Sequence, residues 1–473
     1  MAQTRKDIVI LSVFYLISRL IFLTRYPIFN DESIYLHEAW IMTHVPGQLW
    51  YSLSDTGKQP LLIWLYGLMW QVIGDPLLAG RLVSVFIGLT TVWAVYLFGG
   101  WTAGILLITA PIFIFFDRLA LVDSALAALF AWLLVLLVRL GKHNAIRTAI
   151  LAGILVGVSF WIKSTGFLFV LVVVSEFAYF WYSQKRARTI AVALLIFIAV
   201  AGIIGLPLFL RPEAVQIFAT AHLYTYSLKE LVALNFGNVG GNMLYAFLDY
   251  AAYVSPLVVL AFIVSVTSIV TRKKRILTTA WLLTFSAVVF FGKSIHGRYV
   301  LFTTIPIIVL SSFVISTHRI LFGITVAIMT VLSAILIIDP PTFFHMFPAV
   351  GLRTESYQYV DGWPSGYGVK EALNAIDADR RGERALVAVR WDSGNPEDAV
   401  FVYTVGNTGM TAKYLDPRLP EEAREVLNAS ARERVYFVTR QGQYNGLERY
   451  LIPLGQFPKP GGKEKVELFR VRI

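Results

Sequence analysis

Apolar residues fall in long runs separated by short polar segments. Most runs, at roughly 17–22 residues, are long enough to cross a hydrocarbon core. Candidate spans are Ile8–Leu23, Leu77–Phe98, Ala103–Phe116, Leu119–Val138, Ile146–Ile162, Phe167–Trp181, Ile190–Leu210, Tyr250–Val270, Ile276–Phe291, Tyr299–Ile315 and Ile320–Ile338, with Ala103–Phe116 the shortest. The pattern predicts a polytopic α-helical membrane protein of about eleven transmembrane helices. No small-residue cleavage site follows the first run, so it reads as a retained helix and not as a removed signal peptide.

Two segments after the first run are amphipathic or Trp-rich but too short to span. Ser33–Thr43 sets Tyr35, Leu36, Ala39 and Trp40 among polar neighbours, and Leu61–Ile73 reads LLIWLYGLMWQVI. Both suit helices lying in the membrane interface with aromatic side chains toward lipid, a short buried helix being the alternative. From about Tyr357 charge density rises and strand-like runs appear at Ala385–Arg390, Ala399–Thr404, Val435–Thr439 and Val466–Ile473. Helical patterns accompany them at Gly368–Asp379, Glu421–Arg432 and Leu447–Leu451. This predicts a C-terminal soluble α/β domain over 341–473, joined to a membrane domain over 1–340, with the turn-rich DGWPSGYG (Asp361–Gly368) in the connection.

Composition narrows the class. With 57% hydrophobic and 15% charged residues, a soluble chain would have far too much apolar surface to hide. A formal charge of +11 raises nucleic acid as a partner, but the basic residues sit in short clusters between apolar runs, which is the habit of cytoplasmic loops. Those clusters are Arg5 and Lys6; Arg139, Lys142 and Arg147; Lys185, Arg186 and Arg188; Arg272 to Arg275; and Arg319. They recur at every second loop that is long enough, so the N-terminus is expected inside and the C-terminal domain on the non-cytoplasmic side. With no cysteine, disulfides, thiolate metal sites and cysteine nucleophiles are excluded. No eukaryotic retention signal ends the chain, and a bacterial plasma membrane is the expected location.

Charges beside membrane spans are expensive and each needs a reason. Threading the spans brings one set to the outer face: Asp31, Glu32, Lys58, Arg81, Arg118, Asp123, Lys163, Lys293, His296 and Arg298, with Tyr299 beside them. Acids there can activate a hydroxyl or amine nucleophile, and bases can hold and stabilise a leaving phosphate. Each has a plainer reading. Asp31 can be a helix N-cap, Arg118 and Asp123 an ion pair fixing a turn, and Lys163 a lysine snorkelling to the interface. KSIHGRY (Lys293–Tyr299) can be an ordinary loop, although this side should be poor in Lys and Arg. Asp31, Glu32, His37 and Asp123 could supply hard ligands to a divalent metal, without diagnostic spacing. GNVGGN (Gly237–Asn242) is not a phosphate loop, and His222 and His345 carry no assignment.

The segments NDESIY (Asn30–Tyr35), GKQPLLIWL (Gly57–Leu65), AGRLVSVFIG (Ala79–Gly88), DRLALVDSAL (Asp117–Leu126), GVSFWIKSTG (Gly157–Gly166) and HGRYVLFTTIP (His296–Pro306) resemble, in order, those of GT-C membrane glycosyltransferases of the protein O-mannosyltransferase and aminoarabinose-transferase type. The resemblance implies a polyprenyl-phosphate sugar donor held in membrane lipid, a protein, lipid or glycan acceptor, and inversion at the anomeric carbon. It implies Asp31 as catalytic base and Asp123, after Arg118, as a second acid, with Glu32 beside them. Lys58, Arg118, Lys163 and Arg298 then fall to the carrier phosphate. The C-terminal α/β domain departs from the best-known members and leaves the acceptor open. A transporter or flippase of lipid-linked sugars is the rival, and a non-catalytic assembly protein a second. Against transport, the charges gather at one face and no repeat is seen.

Overall fold

The computed structural model describes residues 2–140, 145–184, 187–233, 238–268, 271–347, 352–416, 420–444 and 447–472. The expected basic-loop residues Lys142, Lys185 and Arg186 lie outside the described residues, as do Gly237 of GNVGGN, positions 269–270 of the eighth expected span and Ile473 at the end of the last expected strand.

The membrane part is an all-helical bundle. Among the described residues five helices are long and apolar enough to span a bilayer, Pro76–Thr109, Ser164–Ser183, Arg188–Phe209, Arg272–Phe291 and Arg319–Ile338, or six if a bent pair counts as one span. Ala2–Leu20, Asp123–Arg139, Ala145–Phe160 and Thr304–Ile315 are further apolar helices that are shorter or carry more charge. The expected spans Leu77–Phe98 and Ala103–Phe116 meet at Gly100, where φ of 69° breaks the helix at a residue without a Cβ. Pro111 breaks the second arm again, so Pro111–Phe116 is a separate short helix. The expected span Tyr250–Val270 is not one helix. Val239–Val254 and Pro256–Thr267 meet at 116°, because Pro256 has no N–H to continue the ladder and Ser255 takes a positive φ.

Buried charges tie the bundle together at both ends. Arg19 donates to the Ile108 carbonyl and lies 3.6 Å from Asp117, whose carboxylate also accepts from Tyr15 and Ser124. Arg275 forks onto Glu176 through two hydrogen bonds of 2.9 and 2.7 Å.

The chain ends in a five-stranded sheet of order β2-β1-β3-β5-β4, with β1 Ala385–Arg390, β2 Met410–Leu415, β3 Arg434–Arg440, β4 Leu451–Pro458 and β5 Lys465–Val471. β2, β1 and β3 are parallel; β5 and β4 are antiparallel. Helices Val369–Arg380 and Pro420–Ser430 lie where helical patterns are expected. Ala399–Thr404, expected as a strand, is the core of helix Glu397–Thr404. Asn395–Pro396 turns into it and two acids occupy its first turn, where the helix dipole favours them. That helix is buried because it packs on helix Asn30–His44 as well as on the sheet. The same contact corrects the expectation for Ser33–Thr43. Tyr35, Leu36 and Ala39 are buried between protein elements and do not face lipid. Leu61–Ile73 does turn Leu65, Leu68 and Val72 outward.

Candidate active site

The site is built on the second helix of the chain, Asn30–His44. Its cap is Phe29, and Glu32 at the third position reaches back to accept the Phe29 N–H at 2.9 Å. Asp31 is therefore not the N-cap. Its carboxylate accepts a hydrogen bond from Arg298, in the turn before the last two long helices, and a weak one from Asn30 at 3.4 Å.

Glu32 and Arg81, expected as catalytic and donor-binding, point elsewhere. Arg81 donates to both Glu32 oxygens, at 2.9 and 2.8 Å, and to the carbonyls of Leu23, Tyr26 and Pro27. Glu32 accepts the Ala120 N–H as well. Both side chains are fully buried, and these partners use all their polar atoms. Together they bolt the first outer loop to helix Pro76–Thr109 and to the turn before Asp123, and they leave nothing for a substrate.

Asp31 and Arg298 have neighbours that do remain available. Tyr299 lies 5.3 Å from the Arg298 guanidinium and 4.9 Å from the Lys163 ammonium, and Lys163 donates to Asp123 at 2.5 Å. Lys58 sits 4.7 Å over the Tyr35 ring, four residues along from Asp31. Among the described residues Lys58 has no carboxylate partner. The cluster thus holds two carboxylates and three cations, one of them unpaired. Burial raises the Asp31 pKa, but the Arg298 and Lys58 charges and the hydrogen bonds from Arg298 and Asn30 outweigh it and hold the carboxyl at about 2.

Three expected members lie apart. Arg118 donates to the Phe22 carbonyl and faces a small apolar groove with Leu23, Tyr26, Phe115 and Leu336. Lys293 donates to the His222 carbonyl and lies 3.6 Å from Glu230. His296 is buried 3.5 Å from Glu355, which in turn accepts from Tyr253. The possible metal ligands also diverge. Glu32 serves Arg81, His37 lies 2.7 Å from Asp398, and Asp123 serves Lys163. Among the described residues no three His, Asp or Glu side chains gather as a metal would require.

Sequence reasoning passed over Tyr35 as a cation platform and Glu38 as a second acid on the same helical face. The signal was present, since Asp31 and Glu38 are seven residues apart, two turns of one helix. Glu38 belongs to a separate cavity of about 210 Å³ between the first outer loop and the C-terminal domain.

Residues 57–210 match the model of the dolichyl-phosphate-mannose-protein mannosyltransferase family. ArnT from Cupriavidus metallidurans, solved bound to undecaprenyl phosphate, aligns over 99% of this chain and 98% of its own, at 14% identity and a TM-score of 0.58. Its apo state aligns equally well at 13% identity. The oligosaccharyltransferase of Archaeoglobus fulgidus, solved in complex with Zn and sulfate, aligns over 98% of this chain and 73% of its own, at 13% identity and a TM-score of 0.52. No curated protein matches the chain in sequence.

Proposed function

We propose that this chain, which has the fold of ArnT and over residues 57–210 matches the mannosyltransferase family model, is a membrane glycosyltransferase of the GT-C superfamily that moves a sugar from a polyprenyl-phosphate donor to an acceptor on the non-cytoplasmic face. Asp31 is the base. The acceptor hydroxyl or amine gives its proton to the Asp31 carboxylate as it attacks the anomeric carbon. The bond from that carbon to the phosphate oxygen breaks, and its electron pair leaves with the lipid phosphate. Attack opposite the leaving group inverts the centre. Lys58 and Arg298 stabilise the departing phosphate, while Lys163 and Asp123 flank the sugar.

The observation that carries the reading is the Asp31–Arg298 pair beside Lys58, which among the described residues has no carboxylate partner. A carboxylate near pKa 2 is ionised at neutral pH and a weak base. A donor phosphate that takes a share of Arg298 and Lys58 removes the charges that hold it there, so Asp31 becomes more basic when the donor is in place. The ArnT likeness, with undecaprenyl phosphate bound in that protein, supports a carrier of this kind.

The test is Asp31→Asn. The amide keeps an acceptor oxygen for Arg298 but cannot take a proton. Transfer should fall by at least about a hundredfold, within the roughly 10²–10⁴ range for a lost general base, while undecaprenyl phosphate still binds. Near-normal transfer would move the base to Asp123.

A further inference from the structure

The cavity of about 210 Å³ lies between helix Asn30–His44, the short helix Tyr51–Asp55 and the C-terminal domain. It is far larger than the ~10–15 Å³ that admits one water. One wall is a built polar cluster. Asp398 accepts from the Gly394 N–H at 2.6 Å and the Tyr414 hydroxyl at 2.8 Å, and it lies 2.7 Å from His37 Nδ1. His37 stacks on the Tyr414 ring at 5.1 Å and an interplanar angle of 4°. Trp391 meets Tyr414 edge-on at 5.8 Å and is 53% exposed, a large apolar face left open at the cavity. The other wall is Glu38. One of its oxygens accepts from the Thr56 hydroxyl at 2.5 Å; the second, Oε2, is buried and has no partner, although the side chain is only 2% exposed. On a residue lining a roomy cavity, a buried carboxylate oxygen without a protein donor is open to a hydrogen bond from whatever occupies the cavity.

Two of the four acids that line it are answered from within the protein. Asp392 lies 3.2 Å from Arg440, and Asp398 has His37 and Tyr414. What remains is hydrogen-bond acceptors beside aromatic faces, with Asp55 and Glu38 the further acids, and burial raises the pKa of both and so disfavours their charge. That combination suits a ring with a hydroxyl rim and an apolar C–H face.

We propose that this cavity is a sugar-binding subsite for the acceptor, seating one glycosyl residue with its hydroxyls on Glu38 and Asp398 and its C–H face on Trp391 and Tyr414. The proposal rests on the transferase reading above. Glu38 and Asp31 share one helical face about 10 Å apart along the axis, from a rise of ~1.5 Å per residue. The residue seated here is thus not the one attacked but a neighbour, which fixes the acceptor's register.

The experiment uses the full chain in detergent and titrates methyl α-mannoside, methyl α-glucoside and N-acetylglucosamine by saturation-transfer NMR, with tetramethylammonium as a cationic competitor and undecaprenyl phosphate binding followed separately. At least one neutral sugar should bind, and Trp391→Ala and Glu38→Ala should each weaken it at least tenfold. Trp391→Ala removes a half-exposed side chain and leaves the fold's core untouched. Failure of every sugar to bind while undecaprenyl phosphate binds overturns the subsite alone, as does sugar binding indifferent to Trp391→Ala. Displacement by tetramethylammonium overturns it in favour of a cation pocket. Sugar binding that depends on Trp391, with no binding of undecaprenyl phosphate, upholds the subsite and overturns the donor reading.

Discussion

Replacing Arg81 by alanine separates a scaffold from a substrate ligand. The guanidinium donates twice to Glu32 and once or more to three loop carbonyls, all within the protein. Its removal leaves the Glu32 carboxylate fully buried without a counter-charge, a loss of about 3–5 kcal/mol. The carbonyls of Leu23, Tyr26 and Pro27 each forfeit a donor at about 1 kcal/mol. The sum, roughly 6–8 kcal/mol, is a large part of the ~5–15 kcal/mol that holds a typical protein folded. Arg81→Ala should therefore fail to accumulate or melt far below the wild type, followed by tryptophan fluorescence in detergent. Adding Glu32→Gln to Arg81→Ala should recover part of the loss, because the unpaired charge goes while the acceptor oxygen for the Phe29 or Ala120 N–H stays. An Arg81→Ala protein that melts like the wild type but no longer binds undecaprenyl phosphate would refute this reasoning and return Arg81 to the donor site.

Other expectations follow from the same geometry. Arg298→Gln should move the acid limb of kcat/KM upward: the free carboxyl of Asp31 lies near 2, below its ordinary 3.8, so wild-type activity should be flat above about pH 4, and with Arg298 gone burial pushes the group the other way; an unmoved limb would disconnect Asp31 from the chemistry. Burial, only partly offset by Lys58 and Thr56, raises the Glu38 carboxyl to about 7 from 4.5, so wild-type stability should decline as pH rises through that window, and Glu38→Gln should make the slope shallower in melts taken across it, the rest remaining with Glu397, which burial also raises to about 7. Gly88→Ala should destabilise the bundle, since a Cβ there would come 2.3 Å from the Tyr15 hydroxyl and 2.7 Å from the Asp117 carboxyl carbon; an unchanged melting temperature would mean the network yields. Reporter fusions after Arg188 and Arg275 should read as cytoplasmic and one after Pro341 as the opposite side, and a cytoplasmic reading after Pro341 would overturn the sidedness of the proposed reaction.

Much of the architecture is legible in the apolar runs, because a bilayer demands long helices and leaves few alternatives. Leu61–Ile73 and the strands around Val387, Phe437 and Leu468 fall where the pattern puts them. The misses have local causes. Val254 to Pro256 reads as the middle of an apolar run, yet one proline and one positive φ turn the chain by 116°. AVFVYT at Ala399–Thr404 has strand-like composition, but burial on two sides and the preceding turn favour a helix. Met410–Leu415 is a half-buried edge strand with a lysine in it, and Leu451–Pro458 carries two prolines, so neither announces itself. Within the site, the sequence brings the right charges to one region but not their pairings. Nothing in the spacing distinguishes Asp31, which meets Arg298, from the adjacent Glu32, which disappears into Arg81. That choice is made by Phe29 and the capping geometry, which appear only once the helix start is fixed.

Asn395 holds the first outer loop in place. Its backbone N–H donates to Asn30, its amide donates to the Ile28 and Pro364 carbonyls, and its side-chain oxygen accepts from Ser33. Asn30 and Asn395 are 365 residues apart. At a synthesis rate of roughly 5–20 residues per second, the loop that bears Asp31 leaves the ribosome about 20–70 s before the residue that clamps it. During that interval Asn30 and the Ile28 carbonyl have no Asn395 to bond to, and the loop is anchored only by the helices already threaded. Until Asn395 is made the loop lacks this clasp, and a chain cut short by a premature stop anywhere before Asn395 would sit in the membrane with that loop unclasped.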